Sequence, residues 1–208
     1  MKKNAIRILL ADDHEILRTG LSDIIEGETD MTVVAQAADG AEAVRLAAET
    51  RPDLIVMDLM MPGMNGAEAT ARILSAAGDN PPKIVILTTF GTAAELALAS
   101  RAGISGALVK DESAENLIES IRRIAAGKRV FSKSISRALA ASRDLPDLTL
   151  RQIEILRAVK DGLSNSEIAK RLGVSADAVK KHLIAIFRKF GASTRAEALA
   201  IALERHML

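Results

Sequence analysis

Five short apolar segments alternate with five helical patterns in the first 126 residues, and this alternation limits the possible folds more than any other feature. The apolar segments occupy residues 6–10, 31–37, 54–57, 84–87 and 106–109. The segments with helical spacing occupy residues 15–26, 40–49, 65–76, 92–101 and 113–126. Short apolar strands linked by helices are typical of parallel sheets buried on both faces. The sequence therefore predicts an α/β fold for residues 1–126, with a doubly wound five-stranded parallel sheet.

The rest of the chain shows no strand pattern. Four helices are predicted, at residues 149–161, 164–172, 175–190 and 194–206. Capping boxes, in which Ser or Thr is followed three residues later by Glu or Gln, are predicted at Thr149, Ser164 and Thr194. Residues 148–208 are therefore predicted to form a small all-α domain. The basic, Ser-rich residues 127–147 are predicted to be a linker.

Composition narrows the possible functions. The chain has no Cys, Trp or Tyr, which excludes disulfides and thiolate chemistry and disfavours a stacking platform for single-stranded nucleic acid. No apolar run approaches the length of a membrane span, so a cytoplasmic protein is expected. Residues 1–125 carry 19 acidic against 12 basic side chains, whereas residues 148–208 carry 11 basic against 6 acidic. This asymmetry favours cations as ligands of the first part and polyanions as ligands of the second.

Polar side chains follow four strands of the predicted sheet. Asp12 and Asp13 come after the first strand, Asp58 after the third, Thr88 after the fourth and Lys110 after the fifth. The carboxyl ends of parallel strands meet at one edge of a sheet, where ligands bind. Converging carboxylates suit Mg²⁺, and a carboxylate beside Mg²⁺ can attack a phosphoryl group to give an aspartyl phosphate. Lys110 and Thr88 can then contact the phosphoryl oxygens.

These residues resemble the receiver domain of two-component response regulators over about residues 5–126. The matching motifs are ILLADDH at 8–14, VMDLMMPGMNG at 56–66, LTT at 87–89 and LVKD at 108–111. The resemblance implies a flavodoxin-like fold in which Asp58 is the phosphoacceptor. It also implies that Mg²⁺ is held by Asp12, Asp13, Asp58 and the backbone carbonyl of Met60, with Thr88 and Lys110 at the phosphoryl group.

The chain departs from the receiver pattern at two positions. Receivers commonly carry Tyr or Phe, a rotamer switch linked to the Thr, where this chain has Ala107. An aromatic residue, Phe90, lies instead two residues after Thr88. Asp111 follows Lys110 where many receivers have Pro. The resemblance therefore implies the phosphorylation chemistry, while the route by which its signal travels is left open.

A basic helix follows a tight turn in the last third of the chain. Residues 164–172 and 175–190 flank the turn at Gly173 and Val174, which is a helix-turn-helix pattern. At about 100° per residue, one arc of the second helix is apolar. The opposite arc carries Lys180, Lys181, Ile184 and Arg188. A basic arc opposed to a core arc is suited to the major groove of double-stranded DNA.

Residues 148–203 resemble the LuxR-type DNA-binding domain. The matching motifs are LTLRQ at 148–152, GLSNSEIA at 162–169, VKKH at 179–182 and RAEA at 195–198. The resemblance implies that Ser164 and Asn165 approach DNA phosphates and that the second helix contacts bases. Both halves together are similar to NarL/FixJ-type response regulators. That resemblance implies a transcription regulator that is not an enzyme, phosphorylated by a histidine kinase and active as a homodimer on double-stranded DNA.

Two alternatives remain open. The first is an Mg²⁺-dependent phosphatase or phosphotransferase with an aspartyl nucleophile, although such enzymes place a second Asp where this chain has Met60. In the second, the N-terminal domain is only a dimerisation scaffold for a DNA-binding module, and phosphorylation plays no part. Because Ala107 stands where receivers commonly carry the aromatic switch, this second alternative stays open.

Overall fold

The computed structural model of the chain describes residues 5–89, 93–142, 145–205 and 207–208. These residues form two compact units, and the main boundary between them falls inside a helix, between Ala138 and Leu139. Phe90, Thr92 and His206, which figure in the sequence predictions, lie outside the described residues.

The first unit is built on a parallel sheet. Its strands are β1 (Ile6–Ala11), β2 (Met31–Ala37), β3 (Leu54–Asp58), β4 (Lys83–Thr88), β5 (Gly106–Val109) and β6 (Val130–Phe131). They lie in the order β2-β1-β3-β4-β5-β6, and every neighbouring pair is parallel. The chain order reverses between β1 and β3, so a crevice opens at the carboxyl ends of these two strands.

Helices connect the strands, which confirms the predicted α/β class. The connecting helices are α1 (Glu15–Glu26), α2 (Gly40–Thr50), α3 (Gly66–Ala76), α4 (Ala93–Ala102) and α5 (Ala114–Ala125). A further helix, α6 (Lys133–Ala141), follows β6. Side-chain caps mark several helix starts: Asp39, Asn65 and Ser113 each accept a hydrogen bond from a backbone N–H in the first turn. Such caps satisfy donors that the helix itself leaves unpaired.

Both faces of the sheet are buried. On one face, Ile8, Leu10, Val56 and neighbouring strand residues pack with apolar side chains of α1 and α5 in a single cluster. The alternate residues Leu9 and Ile55 point to the opposite face and are also fully buried. Because a one-residue slip would exchange the two faces, this packing fixes the strand register and therefore the positions of the strand ends.

Among the residues that the structure describes, the sheet has six strands, and the predicted number of five was wrong. The sixth, β6, is only two residues long, so its sequence carries no periodicity that could reveal it. It pairs with β5 through Gly106 opposite Val130 and Ala107 opposite Phe131. The predicted linker, residues 127–147, therefore contains both β6 and α6.

Gly106 allows the backbone of β6 to approach β5 closely. A Cβ atom at this position would lie 2.4 Å from the carbonyl oxygen of Val130 and 2.8 Å from the Ile124 side chain. We expect Gly106→Ala to lower the free energy of unfolding of the first unit by roughly 1–3 kcal/mol, as overpacking does elsewhere. Calorimetry of the unfolding transition would measure this change.

Gly20 provides the matched control for this prediction. It lies inside α1, and a Cβ atom there would meet nothing within 4 Å. Gly20→Ala should therefore raise the free energy of unfolding by roughly 0.5–1 kcal/mol, because Ala restricts the unfolded chain more than Gly. Equal effects of the two substitutions would show that the β5–β6 contact does not limit the side chain at Gly106.

Over residues 145–205, the second unit folds into the helices α7 (Leu150–Lys160), α8 (Asn165–Leu172), α9 (Ala176–Phe190) and α10 (Arg195–Glu204). This confirms the predicted helical domain. Gly173 and Gly191 end α8 and α9 in the left-handed conformation, with φ of 64° and 68°. Glycine adopts this conformation without a steric penalty, so each helix stops there.

Two of the three predicted capping boxes are present, at Thr149 and Ser164. The third, at Thr194, was wrong in part. Thr194 accepts a hydrogen bond from the N–H of Glu197, but the Glu197 carboxylate accepts from the N–H of Ser193. The carboxylate thus reaches one residue further back than a capping box requires, while Thr194 still caps α10.

Across the residues described, no helix has both the length and the apolar character needed to cross a bilayer.

Candidate functional site

The structure brings the predicted polar residues of the first unit together at one edge of the sheet. Asp12 directly follows β1, Asp58 ends β3, Thr88 ends β4 and Lys110 directly follows β5. These four strands are consecutive neighbours in the sheet. The residues therefore converge because the parallel strands all end at the same edge.

Lys110 bridges two buried carboxylates. Its Nζ lies 2.7 Å from Asp12 Oδ2 and 2.9 Å from Asp58 Oδ2. The side chains of Asp12 and Lys110 are only 4% and 6% exposed, so solvent does little to screen these charges. Two carboxylates this close would repel each other, and the ammonium group between them relieves that repulsion.

Backbone groups hold the outer oxygens of the same two carboxylates. Asp12 Oδ1 accepts a hydrogen bond of 2.9 Å from the N–H of His14, and Asp58 Oδ1 accepts one of 3.3 Å from the N–H of Met60. Arg18 donates to the backbone carbonyl of Asp12 at 2.6 Å. Both carboxylates are therefore held from two sides.

A close contact with Gly66, at the start of α3, fixes the backbone of Asp58. A Cβ atom on Gly66 would lie 2.1 Å from the carbonyl oxygen of Asp58. The N–H of Gly66 also donates to the carbonyl of Leu59 at 3.0 Å. Any residue larger than glycine would push the Asp58 backbone away, so Gly66 helps to set the position of the carboxylate.

Asp13 and His14 complete a group of possible metal ligands. One ligand atom each from Asp12, Asp13, His14 and Asp58 lies within 4.8 Å of the others. His14 Nδ1 is 3.0 Å from Asp13 Oδ1, which makes an ion pair when the imidazole is protonated. The sequence prediction contained the three Asp residues but not His14, because its proximity depends on how the chain turns into α1.

Two polar atoms at this edge are buried and make no hydrogen bond to any part of the chain that the structure describes: Asp13 Oδ1, which has only the ion-pair contact with His14, and Thr88 Oγ1. Buried polar atoms are normally satisfied, so an unsatisfied pair at a site indicates a ligand. An oxygen-binding cation suits Asp13, and a ligand with acceptor oxygens suits the Thr88 hydroxyl. The donor set of carboxylate oxygens is the one that Mg²⁺ prefers, so these residues fit that ion.

For both Asp58 and Lys110, burial and the neighbouring charges shift the pKa in opposite directions. Burial raises the pKa of Asp58 above its usual value, although the hydrogen bond and charge of Lys110 act against that rise. Burial alone would lower the pKa of Lys110, but hydrogen bonds to Asp12 and Asp58 outweigh it, so the pKa of Lys110 is raised. Lys110 is therefore a permanent cation at neutral pH.

Ala107 is fully buried in the middle of the sheet. It pairs with Ile86 of β4 on one side and with Phe131 of β6 on the other. Its methyl group has no torsion that could move between a buried and an exposed position. The structure therefore supports the sequence observation that β5 carries no aromatic switch at this position.

The predicted DNA-contacting residues lie on α8 and α9. Lys180, Lys181, Ile184 and Arg188 are exposed on α9, whereas Val179, Leu183, Ile186 and Phe190 are buried. Ile184 is 57% exposed, although it is apolar. The helix thus has the two opposed arcs that the sequence predicts, one in the core and one basic and accessible.

Ser164 and Asn165 lie at the start of α8 and already have partners within the second unit. The Ser164 hydroxyl donates to Glu167 Oε2 at 2.6 Å, and Asn165 Oδ1 accepts from Arg195 at 3.0 Å. The hydrogen bonds from Ser164 lower the pKa of Glu167 below its usual value. Sequence analysis included Arg195 in a matching motif but did not identify it as the partner of Asn165, because the two residues are 30 positions apart along the chain.

Comparison with known proteins identifies both units. Residues 8–122 match the family model of the response regulator receiver domain, and residues 146–202 match that of the luxR family of bacterial regulatory proteins. The chain is 37% identical over 211 residues to the transcriptional regulatory protein LiaR of Bacillus subtilis, covering 98% of this chain and 99% of LiaR. It is 36% identical over 200 residues to the nitrate/nitrite response regulator protein NarL of Escherichia coli K12, covering 92% of each.

A solved structure gives the same result. The chain is similar to the crystal structure of the response regulator ChrA of a heme-sensing two-component system, with 34% identity and a TM-score of 0.59. The match covers 99% of this chain and 100% of ChrA. The chain therefore belongs to the NarL/LuxR family of two-component response regulators, transcriptional regulatory proteins that join a receiver domain to a LuxR-type DNA-binding domain.

Proposed function

We propose that Asp58 accepts a phosphoryl group from a partner histidine kinase and that this modification controls DNA binding by α9. The observation that carries the proposal is the buried Asp58 carboxylate, contacted by Lys110, at the sheet edge that also holds the unsatisfied Thr88 hydroxyl. In the transfer, the bond between phosphorus and a kinase imidazole nitrogen breaks. A bond between phosphorus and an Asp58 oxygen forms, and the imidazole nitrogen regains its lone pair.

Asp12, Asp13, Asp58 and the backbone carbonyl of Met60 would hold Mg²⁺ at this site. When bound, the ion offsets negative charge on the phosphoryl oxygens. Asp12 and Asp58 are already held by backbone donors, so their carboxylates need little reorganisation. Asp13 Oδ1, which accepts no hydrogen bond from the described residues, supplies a further carboxylate oxygen.

Lys110 and Thr88 bind the phosphoryl group in this proposal. The Lys110 ammonium group, now at Asp58 Oδ2, can move by a small rotation to an oxygen of the new phosphoryl group. The Thr88 hydroxyl donates to another of its oxygens. Both contacts arise only after transfer, so they favour the phosphorylated state over the unmodified one.

DNA binding is assigned to the second unit. Lys180, Lys181 and Arg188 bind phosphates or guanine edges in the major groove, and Ile184 contacts a thymine methyl group. Ser164 and Asn165 lie at the phosphate backbone. We keep residues 1–126, 127–147 and 148–208 as receiver, linker and DNA-binding domain, with β6 and α6 as ordered parts of the linker.

Phosphorylation is proposed to act by favouring a homodimer that reads two half-sites. LiaR and NarL are named as regulatory proteins of the same kind, which supports a regulator rather than an enzyme. We propose that it works in the cytoplasm, because its proposed ligand is chromosomal DNA. Because Ala107 has no aromatic ring to reorient, we expect a smaller shift between the two states than in receivers that carry one.

Selection of duplexes from random oligonucleotides, with and without beryllofluoride as a phosphoryl analogue, tests this function. We expect one sequence class to be enriched, with tighter binding and a larger scattering mass in the presence of beryllofluoride. Identical mass and affinity in both states would support the alternative in which the receiver is only a scaffold. Failure to enrich any duplex would contradict the DNA-binding assignment.

A further inference from the structure

Arg195 connects the start of α10 to the start of α8. Thr194 caps α10, which makes Arg195 the first residue of that helix. From there, Arg195 Nη1 donates to Asn165 Oδ1 at 3.0 Å, and Arg195 Nη2 donates to the backbone carbonyl of Leu163. The two contacts lie on either side of Ser164, the N-cap of α8. One planar guanidinium group therefore holds both the chain entering α8 and its first side chain.

This contact determines which end of the Asn165 amide is left for other partners. A guanidinium group has only donors, so only the amide oxygen can meet it. The two N–H groups of Asn165 Nδ2 are then the remaining donors of that side chain. Because both residues are partly buried, the fork of Arg195 restricts the rotation of the amide that an exposed Asn would have.

The neighbouring Ser164 does not supply an equivalent donor. Its hydroxyl proton is directed to Glu167 Oε2 at 2.6 Å, and its oxygen accepts from the N–H of Glu167. The Glu167 carboxylate is exposed at the same helix start and would repel a phosphate. Of these two residues, Asn165 therefore has the side-chain donor that is available to a phosphate oxygen.

We infer that Arg195 is a positioning residue that orients the Asn165 amide toward a DNA phosphate without contacting DNA itself. This inference rests on the proposed DNA-binding function of the second unit. It assigns to Arg195 a contribution to DNA affinity that is exerted through Asn165. An orienting role and a direct phosphate contact make different predictions for the salt dependence of binding.

The test measures binding of the full chain to a selected duplex and to a random duplex of the same length, over a range of salt concentrations. The variants are Arg195→Met, Asn165→Ala, the double variant, and Arg171→Met as the control. Arg171 also lies in the second unit, where its guanidinium pairs with the exposed Asp161 at 2.8 Å. Circular dichroism establishes that each variant is folded.

We expect Arg195→Met and Asn165→Ala each to weaken binding to both duplexes by roughly tenfold, the loss of one hydrogen bond to a charged group. The double variant should be no weaker than Asn165→Ala alone, because Arg195 acts through that amide. The slope of log affinity against log salt should not change, since a neutral amide releases no counterion. Arg171→Met should bind like the unmodified chain.

A salt slope that falls by about 0.9 in Arg195→Met would overturn the inference, because it would show that Arg195 itself neutralises a phosphate. Unchanged affinity, or losses that add in the double variant, would overturn it as well. If Arg195→Met does not fold, Arg195→Lys takes its place, since one ammonium group cannot reach both acceptors in the same geometry. Because lysine keeps the charge, this variant is judged by its loss of affinity and by the double variant, and not by the salt slope. If the unmodified chain binds neither duplex, the DNA-binding function itself fails.

Discussion

Asp58→Ala is expected to take up no phosphoryl label from a small donor such as acetyl phosphate, whereas the unmodified chain takes up about one group per chain. Asp58 is the carboxylate that ends β3, and both Lys110 and the N–H of Met60 contact it. Removing it removes the nucleophile, so the loss should be complete rather than partial. Lys110 keeps Asp12 as a partner at 2.7 Å, and the variant should therefore fold. Intact-mass spectrometry measures the labelled fraction.

Asp111→Ala is the matched control for the labelling experiment. Asp111 directly follows Lys110 but is exposed, so its loss should leave the labelled fraction unchanged. Full labelling of Asp58→Ala would mean that another group is the nucleophile. Release of many phosphate ions per chain by the unmodified protein would instead support an aspartyl-nucleophile phosphatase.

Lys181→Ala is expected to weaken specific DNA binding by about 1–3 kcal/mol and to relax the preferred sequence, if Lys181 contacts a base edge. The physical reason is its position on the exposed basic arc of α9, opposite the buried Leu183 and Ile186. A lost phosphate contact would weaken all sequences alike. Titration of selected and mismatched duplexes separates the two results.

Lys170→Ala is the comparison for this experiment, because Lys170 is also an exposed lysine of the second unit but lies on α8 instead of α9. It should cost less specific affinity than Lys181→Ala. Equal losses for the two variants would indicate general electrostatic attraction, and the basic arc of α9 would then not be the reading surface.

The acidic site could be predicted from sequence because its geometry follows from a rule about sheets. Asp12, Asp58 and Lys110 are far apart along the chain, but each lies next to the end of an apolar segment. Parallel strands end at the same edge, so the strand pattern alone brings these residues together. Detecting the strands was therefore enough to predict this part of the site.

Features that depend on single contacts could not be predicted in this way. The strand β6 has two residues, too few to show a period, and its pairing depends on the absence of a side chain at Gly106. The Glu197 carboxylate had two backbone donors within reach, and its choice of Ser193 is not encoded in residue spacing. The contact of Arg195 with Asn165 depends on how α8 and α10 pack, which the sequence alone does not reveal.

The ammonium group of Lys110 has a consequence for the maturation of the protein. A carboxylate pair that brings its own counter-ion does not depend on a dissolved cation to become stable, because the repulsion is already relieved within the chain. Folding then does not require metal loading, and a newly made chain can reach its native state before any magnesium binds. An ion that binds later would add to the stability of the folded chain by mass action, but it would find the site already formed.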